Sequence, residues 1–138
     1  MMRTLLKGAL LSLMLIGNAQ AEVVVIVNLL GPDYLSPTQV RKLYLGKSKH
    51  LPGQGKAYII DMAGDSDIKR EFHEKVTHKS ASQLQAYWSR LIFTGKGKPP
   101  RTVRTPELIL SLVGSNENAI GYIDELLVND RVKIAYRP

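Results

Sequence analysis

An α/β layer with a central, mainly parallel sheet flanked by helices is predicted by three observations. Val23 to Val27 are five β-branched residues in a row, the mark of a strand buried on both faces. Helix-capping signals recur at Ser36, at Asp65 or Ser66, at Ser80 and at Thr105, each ahead of an apolar stripe of helical period. Short apolar runs suited to strands fall before and between those helices, and strands alternating with helices call for a layered α/β domain.

The elements follow in order. Glu22 to Leu30 is the first strand, broken by Gly31-Pro32-Asp33. Ser36-Pro37-Thr38-Gln39 combines an N-cap, a proline at the first helical position and a glutamine three residues after the cap, so a helix starts there. Val40, Leu43 and Tyr44 give it an apolar face, and Gly46 ends it. Lys56 to Met62 reads as a second strand. Asp65 or Ser66 caps the next helix, with Ile68, Phe72 and Val76 on one stripe. Ser80-Ala81-Ser82-Gln83 is a second capping box, opening a helix whose Leu84, Tyr87, Trp88 and Leu91 face inward and whose end is Gly95. Trp88, Tyr87 and Phe93 are accordingly read as core. Gly95 to Arg104 is the longest loop. Thr105-Pro106 starts a fourth helix through Leu108, Leu112 and Val113, closed by Gly114. Strands at Ala119 to Ile123 and Val132 to Tyr136 complete the domain, with Tyr122 either in the core or at a cleft edge. The Leu-Gly-Lys and Thr-Gly-Lys endings read as ordinary C-caps, a left-handed glycine followed by a cation near the negative helix end.

The first 21 residues have a different character. Arg3 and Lys7 form a positive segment, Ala9 to Ile16 is almost wholly apolar, and Ala19-Gln20-Ala21 supplies the small-x-small pattern of a signal peptidase site. The apolar run is well short of the roughly 20 residues needed to span a bilayer. Residues 1–21 are therefore read as a cleaved signal peptide and 22–138 as one domain, exported to the periplasm and not embedded in the membrane. With no cysteine, neither a lipid anchor on an N-terminal cysteine nor a disulfide framework is available. Beyond the leader, seventeen basic residues face twelve acidic ones, a net charge of +5 that favours small anions, cell-wall polymers or lipid headgroups and also serves solubility. The cations are spread along the chain without interleaved aromatics, which argues against nucleic acid.

Motifs for catalysis and cofactors fail on inspection. Gly46-Lys47-Ser48 has the tail of a P-loop, but Arg41 stands where the first glycine belongs, and the segment follows a helix instead of preceding one. Gly95 and Gly97 lack the third glycine of a dinucleotide site. His73 and His78 are five apart, off the i, i+4 spacing of a shared metal, and are read as solvated surface residues; His50 sits in a lysine-rich loop. Asp61, Asp65 and Asp67 lack the glycine and distal glutamate of a calcium loop, so Asp65 and Asp67 are read as helix-capping residues. No serine, histidine and acid form a nucleophile pattern. Neither an enzyme nor a cofactor is expected.

Three blocks in fixed order carry more information: Leu43-Tyr44-Leu45-Gly46-Lys47, then Tyr87-Trp88 running to Phe93-Thr94-Gly95-Lys96-Gly97, then Asn118-Ala119-Ile120-Gly121-Tyr122-Ile123-Asp124. With their spacing, they resemble the phosphate-binding proteins of bacterial ABC transporters from about Val23 to near Ile134. Those proteins are two-lobed clamshells, and this chain resembles a short, single-lobe member with the type 2 periplasmic-binding-protein fold. The resemblance implies that the terminal strand returns beside Val23–Val27. It also implies an oxyanion site built from an arginine and a Ser-Gly-Thr at a helix start, where hydroxyls and backbone N–H groups clasp the anion. Phe72 lies six residues after Ser66, matching the family's aromatic, so Ser66 takes the serine's place, with Asp67 and Ile68 where glycine and threonine stand and Gly64 in the loop before. The arginine's place falls on Asp61 or Met62, neither a bidentate donor.

These residues give two expectations. One is a solute-binding component for phosphate or another small anion, serving ABC transport or sensing. The alternative is a non-binding interaction module for a membrane sensor, transporter or secretion component. Export itself is checked by N-terminal sequencing of the expressed chain: the mature protein should begin at Glu22 in the soluble periplasmic fraction, and an unprocessed chain held in membranes would contradict the reading.

Overall fold

The computed structural model describes residues 21–138; the leader expected over residues 1–21 lies outside them except for Ala21. The elements run β1 (Val23–Asn28), α1 (Pro37–Tyr44), β2 (Tyr58–Met62), α2 (Asp67–Phe72), a π-helical turn (His73–Thr77), α3 (Ala81–Phe93), β3 (Arg101–Val103), α4 (Pro106–Ser115), β4 (Ala119–Asp124), a 3-10 turn (Glu125–Leu127) and β5 (Val132–Tyr136). The five strands form one open sheet in the order β3-β2-β4-β1-β5.

Four strands point the same way, since β2 is parallel to β3 and to β4 and β1 is antiparallel to both β4 and β5. The mainly parallel sheet thus has one reversed strand, and it is an interior one. All six residues of β1 are buried; burial on both faces, read from its composition, reflects helices on either side of the sheet and not strand direction. β5 returns beside β1, with Ile26 facing Ile134 and Asn28 facing Val132. The three-residue β3 lies inside the stretch read as loop. It follows Pro99-Pro100, exposes Arg101 and Thr102, and pairs only with β2, as suits a short edge strand.

The capping signals act as read. Ser36 and Ser80 each accept from the backbone N–H three residues on, and Gln39 and Gln83 return the bond. Of the two candidates at α2, Ser66 is the cap. At Gly46 and Gly95 φ is +71° and +69°, and the N–H groups of Lys47 and Lys96 reach back to Lys42 and Leu91. Both glycines therefore close their helices in the left-handed conformation. Gly114, by contrast, is not a stop: α4 runs through Ser115.

Packing corrects two assignments. In α4 the inward face is Ile109 and Val113, while Leu108 is exposed. In α3 only Leu84 is fully inside; Tyr87, Trp88 and Leu91 are half-buried, and Phe93, expected in the core, is 93% exposed. Phe93 stands nine residues after Leu84, about 180° round the helix from the Leu84–Leu91 face, and so it faces solvent.

α2 and its π turn pack on one face of the sheet and α4 on the other. On the α4 side, Gly121 of β4 lies so near the helix that an added Cβ would stand 2.6 Å from Ile109 Cγ2. Gly121→Ala should therefore destabilise the fold by about 1–3 kcal/mol, the usual effect of overpacking a filled core, and Ile109→Val in the same background should recover part of it. Urea unfolding of the three proteins checks this, and an unchanged midpoint in Gly121→Ala would refute the close approach.

Candidate functional site

β2 ends in Ile60-Asp61-Met62, and the carboxylate placed in this apolar run is buried. Three groups from separate elements meet it. The Tyr122 hydroxyl of β4 donates to Oδ1, the Met62 backbone N–H donates to the same oxygen at 2.8 Å, and His73 Nε2 lies 3.0 Å from Oδ2. His73 Nδ1 is 3.0 Å from Thr77 Oγ1, whose hydroxyl also reaches the His73 carbonyl at 3.0 Å. A buried carboxylate without partners would be strongly destabilising; here each oxygen is met by a donor.

Aromatic rings cover most of this network, leaving 12% of the Asp61 side chain exposed. The Phe72 ring stacks on Tyr122 with centroids 3.9 Å apart, Tyr44 meets Phe72 edge-on at 4.7 Å, and the Tyr44 hydroxyl donates to the Ile60 carbonyl at 2.9 Å. Burial pushes the Asp61 carboxyl up, but the hydrogen bond and charge of His73, the Tyr122 hydrogen bond and the Lys69 ammonium more than offset it, leaving the group below its ordinary value. Burial and the adjacent Asp61 charge push the Tyr122 phenol upward, so it remains a donor. His73, read as a solvated residue, is thus a core group. The π turn accounts for this, because its wider coil puts Phe72, His73, Val76 and Thr77 inside together. His78 is exposed, in the left-handed conformation that ends the turn.

Asp61, His73, Thr77 and Tyr122 brace the loop that leads to the sequence-predicted site. Gly64 has a positive φ of +78° and is exposed. Ser66 Oγ accepts the Lys69 N–H at 3.2 Å and is occupied as the helix cap. Asp67 is exposed and ion-paired with Arg70, which also holds Asp65 at 3.0 Å. Ile68 is half-buried against the core. Asp61, Asp65 and Asp67 therefore do not converge on a common point: one is buried in the network and the others grip Arg70.

Beside these residues is a cleft of about 510 Å³ between α2, the π turn and the start of α3. Of the four predicted residues only Gly64 lines it. The rest of its wall includes Lys69, Arg70, His73, His78, Lys79 and Ser80, with Asp65 and Glu74 as counter-charges. The Lys69 ammonium donates to the Met62 carbonyl at 2.7 Å, and Lys79 lies 5.2 Å from the centroid of the Tyr87 ring. Arg70, Lys69 and Lys79 had no motif to mark them, being ordinary helix and loop cations in the sequence. The cleft lies past the carboxyl end of β2, built wholly from the helical connection between β2 and β3. Among the described residues no helix is long and apolar enough to cross a membrane.

No protein-family model and no curated protein matches the chain. Solved structures do. An ABC-type phosphate transport receptor from Vibrio cholerae aligns with a TM-score of 0.64 and 18% identity over 83% of this chain and 45% of that one. A protein assigned as a phosphate ABC transporter substrate-binding protein, with bound phosphate, from Clostridium perfringens aligns at 0.62 and 22% over 83% and 44%. The fold is that of the periplasmic binding proteins, and the chain spans a little under half the length of these two neighbours.

The Asp61 network has a pH consequence. A carboxyl depressed in the folded state adds stability that is present above its unfolded value, about 3.9, and is lost as pH falls through the folded value. Asp61→Asn should therefore lower stability at pH 7 and flatten the acid limb below about pH 4, whereas Asp61→Ala, which strands its buried partners, should cost about 3–5 kcal/mol at pH 7. Urea titrations at pH 7 and pH 3 read both, and an acid limb as steep in Asp61→Asn as in the parent would exclude the assignment.

Proposed function

We propose that the chain binds a small oxyanion, phosphate foremost, in the cleft at the carboxyl end of β2, as an exported solute-recognition component for a transport or sensing system. The observation that carries the reading is the cleft past the carboxyl end of β2, where Lys69, Arg70 and Lys79 surround space for a small anion. The two structural neighbours are described as a phosphate transport receptor and a phosphate-bound substrate-binding protein, which supplies the ligand class. Binding and release would need no chemistry from the protein: cations and hydroxyls replace the anion's hydration, and the braced loop keeps them in place. Clamshell binders gain affinity by closing a second wall over the ligand, so a chain acting alone would bind weakly unless another copy or a partner closes the cleft.

A specific observation favours the alternative, an interaction module without a solute. Arg70, the only guanidinium on the cleft wall, is already taken by Asp65 and Asp67. These carboxylates stand in for an anion and repel an incoming one.

Calorimetry with phosphate and sulfate separates the two readings. A binder should show phosphate-dependent heat and a thermal shift that grows with concentration. Asp67→Gly, which frees one side of Arg70, should tighten phosphate binding about fivefold, equivalent to about 1 kcal/mol of relieved repulsion, and Arg70→Ala should abolish it. If neither the parent nor Asp67→Gly responds to any anion, the interaction module is the correct reading.

A further inference from the structure

The opposite end of the sheet has a different chemistry. There are no acidic residues from 34 to 60 or from 75 to 106. In the sequence these are two separate stretches with cations spread along them. In the fold, the loop after α1 and the loop after α3 come together at the amino ends of β2 and β3, around an open groove of about 710 Å³. Lys49, Lys56, Lys98 and Arg101 line it, and no lining residue is acidic. Among the described residues, none of these four cations has a carboxylate within ion-pair distance. Arg101 instead donates to the Tyr58 hydroxyl at 2.6 Å.

Apolar and aromatic groups accompany the charge. Trp88 and Tyr58 form part of the groove wall, with the Trp88 ring set against Gly46. Phe93 closes α3 beside this groove, 93% exposed, with Ile92 next to it at 54%. Leu29 and Leu30, also exposed, leave β1 at the same end of the sheet, and the Leu30 carbonyl is held by Gln54 from the lysine-bearing loop. Unpaired cations, interfacial aromatics and protruding apolar side chains on one end of a small domain are the features that hold a protein at an anionic bilayer surface.

We propose that this end of the molecule docks on anionic phospholipid headgroups. Lys49, Lys56, Lys98 and Arg101 face the lipid phosphates, Trp88 and Tyr58 lie at headgroup level, and Phe93 with Ile92 inserts among the acyl chains. The surface is separate from the anion cleft, which lies at the carboxyl end of β2. Docking this way leaves that cleft facing away from the membrane.

The chain from Glu22, which carries every described strand and helix, is mixed with phosphatidylcholine vesicles with and without one third phosphatidylglycerol. Trp88 is the only tryptophan, so its emission reports the groove directly. The expected result is co-sedimentation with the phosphatidylglycerol vesicles, a blue shift of Trp88 emission and loss of both on pure phosphatidylcholine. Lys49→Glu with Lys98→Glu and Arg101→Glu should lower partitioning at least about tenfold at an unchanged unfolding midpoint. Phe93→Ser should weaken partitioning while leaving its salt dependence intact, and inorganic phosphate at constant ionic strength should not displace the vesicles. Equal partitioning onto both lipids, unmoved Trp88 emission, or displacement by inorganic phosphate would overturn the proposal. So would retention on polyglutamate with no affinity for vesicles, which would assign the surface to an acidic protein partner.

Discussion

The rest of the fold depends on one buried carboxylate. Asp61 ends β2, and its partners arrive from β4 and from the π turn after α2. β2, the π turn and β4 are separated in sequence, and the carboxylate ties the turn to both strands. Stacked rings cover most of the site, so water screens the carboxylate's interactions only weakly. The consequence reaches the surface. The π turn that follows α2 puts His73 on the cleft wall, so Asp61 holds that wall through His73 without lining the cleft itself.

The common direction of β2, β3, β4 and β5 gives the domain two chemically different ends. At the carboxyl end of β2 cations and carboxylates are interleaved, with Asp65 and Asp67 on Arg70 and Glu74 on the same cleft wall. At the amino end of β2 and β3 the charge is of one sign and stands beside exposed apolar side chains. A net charge of a few units conceals this division, because no carboxylate lines the basic groove.

Local signals in the sequence were reliable because their physics is local. A serine, a proline and a glutamine at fixed offsets complete the capping box at Ser36 whatever else the chain does, and Gly46 and Gly95 stop their helices by backbone conformation alone. What the sequence could not convey were pairings at a distance. The reversal of β1 depends on which strands flank it, and a run of valines reads the same in either direction. His73 looked like a solvated residue because the carboxylate that makes its burial tolerable lies on another element. Phe93 is apolar and helical, but it stands nine residues after Leu84, about 180° round the helix from the inward face, so it points to solvent. Of the candidate site, Gly64 was placed on the cleft, whereas Ser66, Asp67 and Ile68 are respectively the cap, an ion-pair partner and a half-buried packing residue. The cations of the cleft were visible only as scattered charge.

The placement of β1 also bears on when the sheet can form. It is the first strand of the domain, yet it has no neighbour nearby in sequence: Val27 faces Ile120 and Asn28 faces Val132. Closing so long a loop costs chain entropy before any contact rewards it, so the interior of this sheet is assembled late. A chain emerging amino end first cannot complete the interior of its sheet until its last strand has followed. Until then β1, the most apolar strand, stays available to chaperones, and the polypeptide remains threadable through a narrow pore.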